Sequence, residues 1–213
     1  MDLEFLFFIP MVLELLAALV ASITFSRYKD SKEKYFLYFL WYTLTIELIG
    51  AILGYGYRIN NYWLFNAFTI TSFLFYFYWY YSIFKRKGFR KTVIVFSIVF
   101  LIVAIINLVT QSWLQYHSYS FIAGASFVLV LTLFHFFQLL NSDEVLIVKH
   151  KLSFWISAGL LLFNMGMIPF MLLSEHADLQ GLSFLILLLS LNLILYGCYI
   201  IGFLWTKKKY NRF

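Results

Sequence analysis

Apolar residues fill this chain in seven long runs separated by short polar connections. The runs extend approximately from Leu3 to Ser26, Tyr35 to Gly54, Tyr62 to Phe84, Thr92 to Thr110, Tyr119 to Leu140, Leu152 to Leu173 and Leu182 to Trp205. Each is near the roughly 20 residues a helix needs to cross ~30 Å of hydrocarbon. Lipid offers no partner for backbone N–H or C=O, and the runs exceed the ~10 residues of a barrel strand, so the pattern predicts helices. The expected fold class is all-α: a polytopic membrane protein whose residues 1–213 form one domain of seven transmembrane helices.

The connections set an orientation. Arg27, Lys29, Lys32 and Lys34 follow the first run, and Lys85, Arg86, Lys87, Arg90 and Lys91 follow the third. Lys149 and Lys151 follow the fifth, and Lys207, Lys208, Lys209 and Arg212 follow the seventh. With seven crossings, every Lys and Arg except Arg58 falls on one side, which the positive-inside rule makes cytoplasmic. The alternate connections carry Asn60, Asn61, Gln111, Glu175, His176 and Asp178. The expectation is an N-terminus outside, a C-terminus in the cytoplasm and a place in the cell (inner) membrane. In the longest connection, Asn141–Lys151, a Ser-Asp-Glu start at 142–144 is read as the cap of a short amphipathic extension.

Composition agrees. Apolar residues make up 63% of the 213 and charged ones 12%, against about a quarter charged in soluble domains. The polar residues are too few to clothe a water-soluble core. The net charge of +6 sits in the short turns, so anionic lipid head groups are the expected partner of this face and nucleic acid is not. The single cysteine, Cys198, lies within the last run and has no disulfide partner. Residues Met1–Glu4 are acidic, unlike the start of a signal peptide, so the first run is expected to remain.

Within the runs, spacing places Glu14, Ala17, Ala18 and Ala21 on one face, and Thr43, Glu47, Gly50, Ala51 and Gly54 on another. Small residues at this spacing suit close helix packing, and Gly50–Gly54 forms a G-x-x-x-G pair. Glu14 falls near mid-depth and Glu47 slightly outward, with no Lys or Arg at similar depth. Such carboxylates turn inward, pair, take up a proton or meet a cationic ligand or ion. The plain alternative is a neutral carboxyl bonding to Asn or Thr of another helix. Asn164 and Asn192 fall near mid-depth too, and the four make a candidate midplane ligand or ion site. Asn66 and Asn107 lie further out, as a candidate outer vestibule. The third run also shows a stripe of Asn66, Thr69, Ser72 and Tyr76. For each asparagine, packing glue is the competing role.

Further features invite two readings. Thr132, His135, Gln138 and Ser142 share a face of the fifth run, where His135 can relay protons or simply bond Gln138 or a neighbouring helix. Pro10 and Pro169 are read as interruptions of the first and sixth runs. The cluster Phe73–Tyr81 is read as an interfacial aromatic belt or as a pocket for a lipid or quaternary amine.

Chemistry is narrowed by what is missing. A retinal protein needs a Lys in the last helix, and Leu182–Trp205 has none. A zinc hydrolase needs three protein ligands, yet only His135 lies inside a run, with His117, His150 and His176 in connections. There is no G-x-S-x-G, H-E-x-x-H or phosphate-cradling Gly loop. No catalytic residue, metal or cofactor is expected, and an enzyme is not the reading.

The layout, with NNYWLFNAFTITSFLFYFYWYYSIFKRKGFRK at Asn60–Lys91 and FWISAGLLLFNMGMIPF at Phe154–Phe170, resembles small bacterial seven-helix membrane proteins of unassigned function, related in appearance to sensor bundles of histidine kinases. The resemblance implies a sensory bundle. The sequence finishes at TKKKYNRF, where a kinase would begin, so output is expected to pass to a separate cytoplasmic protein. That protein would meet the basic face of Lys85, Arg86, Lys87, Arg90, Lys91, Lys207, Lys208 and Lys209. The alternatives are a small-solute transporter using the midplane site, though the repeat and Pro-Gln signature of seven-span sugar transporters are missing, and an accessory or pore-forming subunit. A homo-oligomer is a further possible partner arrangement.

Overall fold

The computed structural model describes residues 6, 8–142, 145–174 and 182–210; among them are seven α-helices and no β-strand. The helices are α1 (Ile9–Ile23), α2 (Lys34–Ala51), α3 (Tyr62–Ile83), α4 (Lys87–Thr110), α5 (Ser118–Leu140), α6 (Leu152–Ser174) and α7 (Leu182–Trp205). A π-helical turn, Ile52–Gly56, prolongs α2, and 3-10 turns form at Phe25–Arg27, Val145–His150 and Lys208–Tyr210. Five stretches are long and apolar enough to cross a membrane: Lys34–Gly56, Lys87–Thr110, Ser118–Leu140, Leu152–Leu173 and Leu185–Trp205. At 15 residues, α1 covers only ~22 Å at 1.5 Å per residue. The 22 residues of α3 have the length, but its Asn, Thr, Ser, Tyr and Trp side chains lower its mean hydropathy.

Three local readings change. Pro10 does not interrupt α1; it stands in the first turn, where a missing N–H is tolerated because that group has no helical partner. The basic turn after α3 is shorter than its charge run, for α4 starts at Lys87 and carries Lys87, Arg90 and Lys91. Arg90 holds this start by donating from Nε to the Phe84 carbonyl at 2.7 Å. The connection after α5 closes as the 3-10 turn Val145–His150, while the Asp143 and Glu144 of its expected cap lie outside the described residues. Glu175, His176, Asp178 and Arg212 lie outside them too.

Each helix touches the next in sequence, and α7 returns to α1, which closes a ring; α3 also touches α5. The small face of α1 makes closure possible. Ala17, Ala18 and Ala21 are fully buried, and the Tyr28 hydroxyl donates to the Ala21 carbonyl at 2.6 Å. On α2, Gly50 leaves room for the Phe65 ring, whose Cζ lies 2.6 Å from where a Cβ would stand. Past the π-helical turn, Arg58 takes a left-handed backbone (φ 54°), and Ile59 N–H bonds back to the Leu53 carbonyl at 2.9 Å.

The half of the ring nearest the basic connections is packed solid. Tyr28, Phe36, Trp79, Tyr80, Phe84, Leu131, Leu152 and Phe203 are each at most 1% exposed. Phe36 meets the Trp79 ring edge-on at 4.9 Å, the arrangement that ring quadrupoles favour. The outer surface is apolar as well: Ile94, Val95, Ile98, Ile102, Ile105 and Ile106 of α4 are roughly half exposed. Soluble monomers rarely expose an apolar face of that extent.

Candidate functional site

Inside the other half of the ring lies a cavity of about 380 Å³, within the roughly 300–1,000 Å³ of small-molecule sites. It is lined from α1 by Pro10 and Glu14 and from α2 by Phe39, Thr43 and Glu47. From α3 come Tyr62, Phe65, Thr69, Ser72, Phe73 and Tyr76, and from α6 Phe163 and Asn164. Asn192, Tyr196 and Tyr199 of α7 line it too, as does Tyr116 from the α4–α5 connection. Glu14 stands one turn beyond Pro10 on the same helix face. At the opposite end of the cavity, Tyr76 and Tyr199 form its floor, where Tyr199 meets Phe36 of the aromatic plug at 5.9 Å.

The chemistry of the lining is lopsided. Tyr196 donates its hydroxyl to Glu14 Oε1 at 2.7 Å. Among the described residues, Glu14 Oε2 and Ser72 Oγ are buried without a hydrogen-bond partner; buried polar atoms of this kind call for one. Asn164 and Asn192 spend their amide N–H groups on their own helices, at the Leu160 and Leu188 carbonyls (2.7 and 2.9 Å). Their amide oxygens are left to accept. Glu47 adds a second carboxyl, and among the described residues no Lys, Arg or His lines the space. The cavity is therefore an aromatic box with two carboxyls and two amide oxygens, suited to a ligand rich in N–H donors or positive charge.

Glu14, Glu47, Asn164 and Asn192 thus share one cavity. Asn66 and Asn107 do not line it, because Asn66 is committed to the α4–α5 connection and Asn107 to α5. Asn66 donates to the Gln115 carbonyl (2.9 Å) and accepts from His117 N–H (2.9 Å), while Asn107 donates to Ser120 Oγ at 2.8 Å. Burial pushes the nearby Tyr116 phenol up to about 12, against the opposing hydrogen bond with Thr69.

Beneath the floor runs a second polar group of residues. Tyr80 bonds Thr132 (2.7 Å) and donates to Ser157 (3.3 Å), and Ser157 bonds His135 Nδ1 at 2.8 Å. His135 therefore pairs with α6, whereas Gln138 caps the end of α3, taking the Lys85 N–H at 2.8 Å. Glu33, 1% exposed, and Lys151, 7% exposed, are buried at the basic end. Burial pushes the Glu33 carboxyl up; the Ser31 hydrogen bond, its own backbone and the Lys151 charge pull the other way.

The other described Lys and Arg residues, Arg58 excepted, lie in the connections at that end, at the helix starts beside them or after α7. Arg86 lies over the Phe89 and Phe137 rings at 5.6 and 5.3 Å, and Lys208 pairs with Asp30 at 3.7 Å. Sequence reasoning passed over Tyr196 and Tyr199 as site residues. Their spacing of four and seven from Asn192, on one helix face, was the available signal. Nothing in the sequence marked Tyr116 or the burial of Glu33 and Lys151. No family model, curated protein or solved structure matches this chain.

Proposed function

We propose that the chain is a seven-span protein of the cell (inner) membrane, with its N-terminus outside and its basic end in the cytoplasm. In this reading it is a sensory bundle that binds a small organic cation in its central cavity. The observation that carries the reading is the Glu14 Oε2 that is unpaired among the described residues, in an aromatic cavity to which they add a second carboxyl and no cationic side chain. An ammonium group supplies the missing donor, and the surrounding rings favour it by about 0.5–2 kcal/mol each. Helices α2, α3 and α7 contribute to both the cavity and the plug. Cation binding therefore biases the packing of Tyr199, Phe36 and Trp79, and through them the basic end where a separate cytoplasmic partner docks. The apolar exterior, five spanning-length helices and one-sided Lys/Arg distribution support the membrane placement.

The test uses the full chain in lipid nanodiscs with benzylammonium, which carries three N–H donors, and its uncharged isostere ethylbenzene. The cation is expected to bind, the isostere to bind far more weakly, and Glu14→Gln and Glu47→Gln to remove the difference. Equal affinity for both compounds, or full affinity in both variants, would end the reading. A transporter is the second reading, favoured by the mid-depth position of Glu14, Asn164 and Asn192. Amine uptake into proteoliposomes that disappears in Glu47→Gln would select it.

A further inference from the structure

At the basic end, three segments meet that are far apart in sequence: the 3-10 turn after α1, the 3-10 turn before α6, and the residues following α7. They border an open cleft of about 660 Å³ lined by Arg27, Lys149, His150, Trp205 and Lys208 among others. The cleft is built by specific bonds, unlike a chance cluster of lysines. Arg27 donates to the Leu204 carbonyl at 2.8 Å, which occupies one of its five N–H donors. His150 Nδ1 bonds the Trp205 carbonyl at 3.3 Å, and its ring stacks on Tyr210 at 5.9 Å. Trp155 Nε1 donates to the Lys149 carbonyl at 2.8 Å, and its ring meets Trp205 edge-on at 5.6 Å. Asp30, on Lys208 at 3.7 Å, is not part of the lining.

The lining joins two chemistries. Arg27, Lys149 and Lys208 give it positive charge, and Leu204 and Trp205, each about half exposed, give it an apolar edge. A phosphate group matches the first, since Arg and Lys bind phosphate by charge-assisted hydrogen bonds. An acyl chain matches the second, and Trp at a helix end is suited to the lipid boundary.

We propose that this cleft binds the phosphate head group of an anionic membrane lipid, with a phosphomonoester dianion as the best match. The proposal rests on the membrane placement above. It narrows the diffuse basic face to a site in which Arg27, Lys149 and Lys208 are the phosphate ligands, and it leaves the Lys85–Lys91 set out.

Native mass spectrometry of the full chain in detergent micelles tests it, with dioleoyl phosphatidic acid, dioleoyl phosphatidylcholine and inorganic phosphate as probes. Phosphatidic acid is expected to be retained, phosphatidylcholine to be released, and inorganic phosphate in excess to leave the lipid bound. Arg27→Gln with Lys208→Gln is expected to weaken retention about tenfold or more, whereas Lys85→Gln with Lys91→Gln changes nothing. Because Arg27 also bonds Leu204, Lys149→Gln, at an exposed side chain, provides a second variant expected to weaken retention without touching the fold. Equal loss in the Lys85/Lys91 variant, equal retention of phosphatidylcholine, or displacement by inorganic phosphate would overturn the proposal, the last by pointing to free phosphate. Retention in micelles does not depend on cavity occupancy. A chain that binds phosphatidic acid but no ammonium loses only the sensory reading.

Discussion

Replacing Gly124 by Ala connects the packing of the ring directly to the cavity. A Cβ at this position of α5 would lie 2.4, 2.5 and 2.7 Å from Cδ2, Cγ and Cε2 of Phe73. Ordinary contact between carbons is about 3.5–4.0 Å, so the ring must retreat by about 1 Å. Phe73 is held by Phe100 and Phe121 at 5.5 and 5.6 Å, and its open side is the cavity it lines. The ring therefore moves inward and narrows the site. Overpacking costs about 1–3 kcal/mol, and the helix-propensity gain of Ala over Gly returns about 1 kcal/mol. The expected net is a loss of about 0–2 kcal/mol, with ammonium affinity falling as well. Unfolding can be followed with a thiol-reactive dye on Cys198, the single cysteine. Gly197→Ala is the control, since a Cβ there meets nothing within 4 Å, and it should gain up to about 1 kcal/mol. Phe73→Leu added to Gly124→Ala should recover stability non-additively, as expected for residues in contact. If Gly124→Ala matched Gly197→Ala in stability and bound the ammonium unchanged, the reasoning would be refuted.

Three other outcomes are expected. Tyr196→Phe leaves Glu14 Oε1 without its donor and should cost about 1–3 kcal/mol, read by the same dye assay; an unchanged melting point would remove this bond from the account. Asn107→Ala strands the buried Ser120 hydroxyl and should speed amide hydrogen exchange where α4 meets α5, leaving α6 and α7 as they were. Burial holds the folded Glu33 carboxyl above its ordinary value, so the folded state binds the proton more tightly than the unfolded chain. Stability should therefore fall as pH rises from the ordinary carboxylate value through the raised one. Glu33→Gln should flatten that slope, and a wild-type melting point that climbs across this window would contradict the assignment.

The helices were legible because apolar runs bounded by charge report length and depth. Glu14, Glu47, Asn164 and Asn192 were grouped on depth, and they line one cavity. Asn66 and Asn107 were grouped on the same ground, yet Asn66 is turned to the α4–α5 connection and Asn107 to Ser120 of α5. Depth along a helix follows from counting residues, but the direction a side chain faces depends on which neighbours the ring supplies. Glu33 and Lys151 were unreadable for a related reason: more than a hundred residues separate them, and each looks like an ordinary solvated charge beside a helix end. Pro10 misled because proline in an apolar run marks a kink or a helix start equally well.

The direct contact between α3 and α5 gives α4 a distinct part in the architecture. Two helices that run the same way can lie side by side only if the chain first travels back between them, and α4 makes that journey along the outside. Its place outside the cavity wall explains why Ile, Val and Leu fill half of its 24 positions. The vessel around the cavity is in effect six-sided, with α4 as an outrigger. Substitutions on its outer face should be tolerated wherever they stay greasy, even where the other six helices would not accept them.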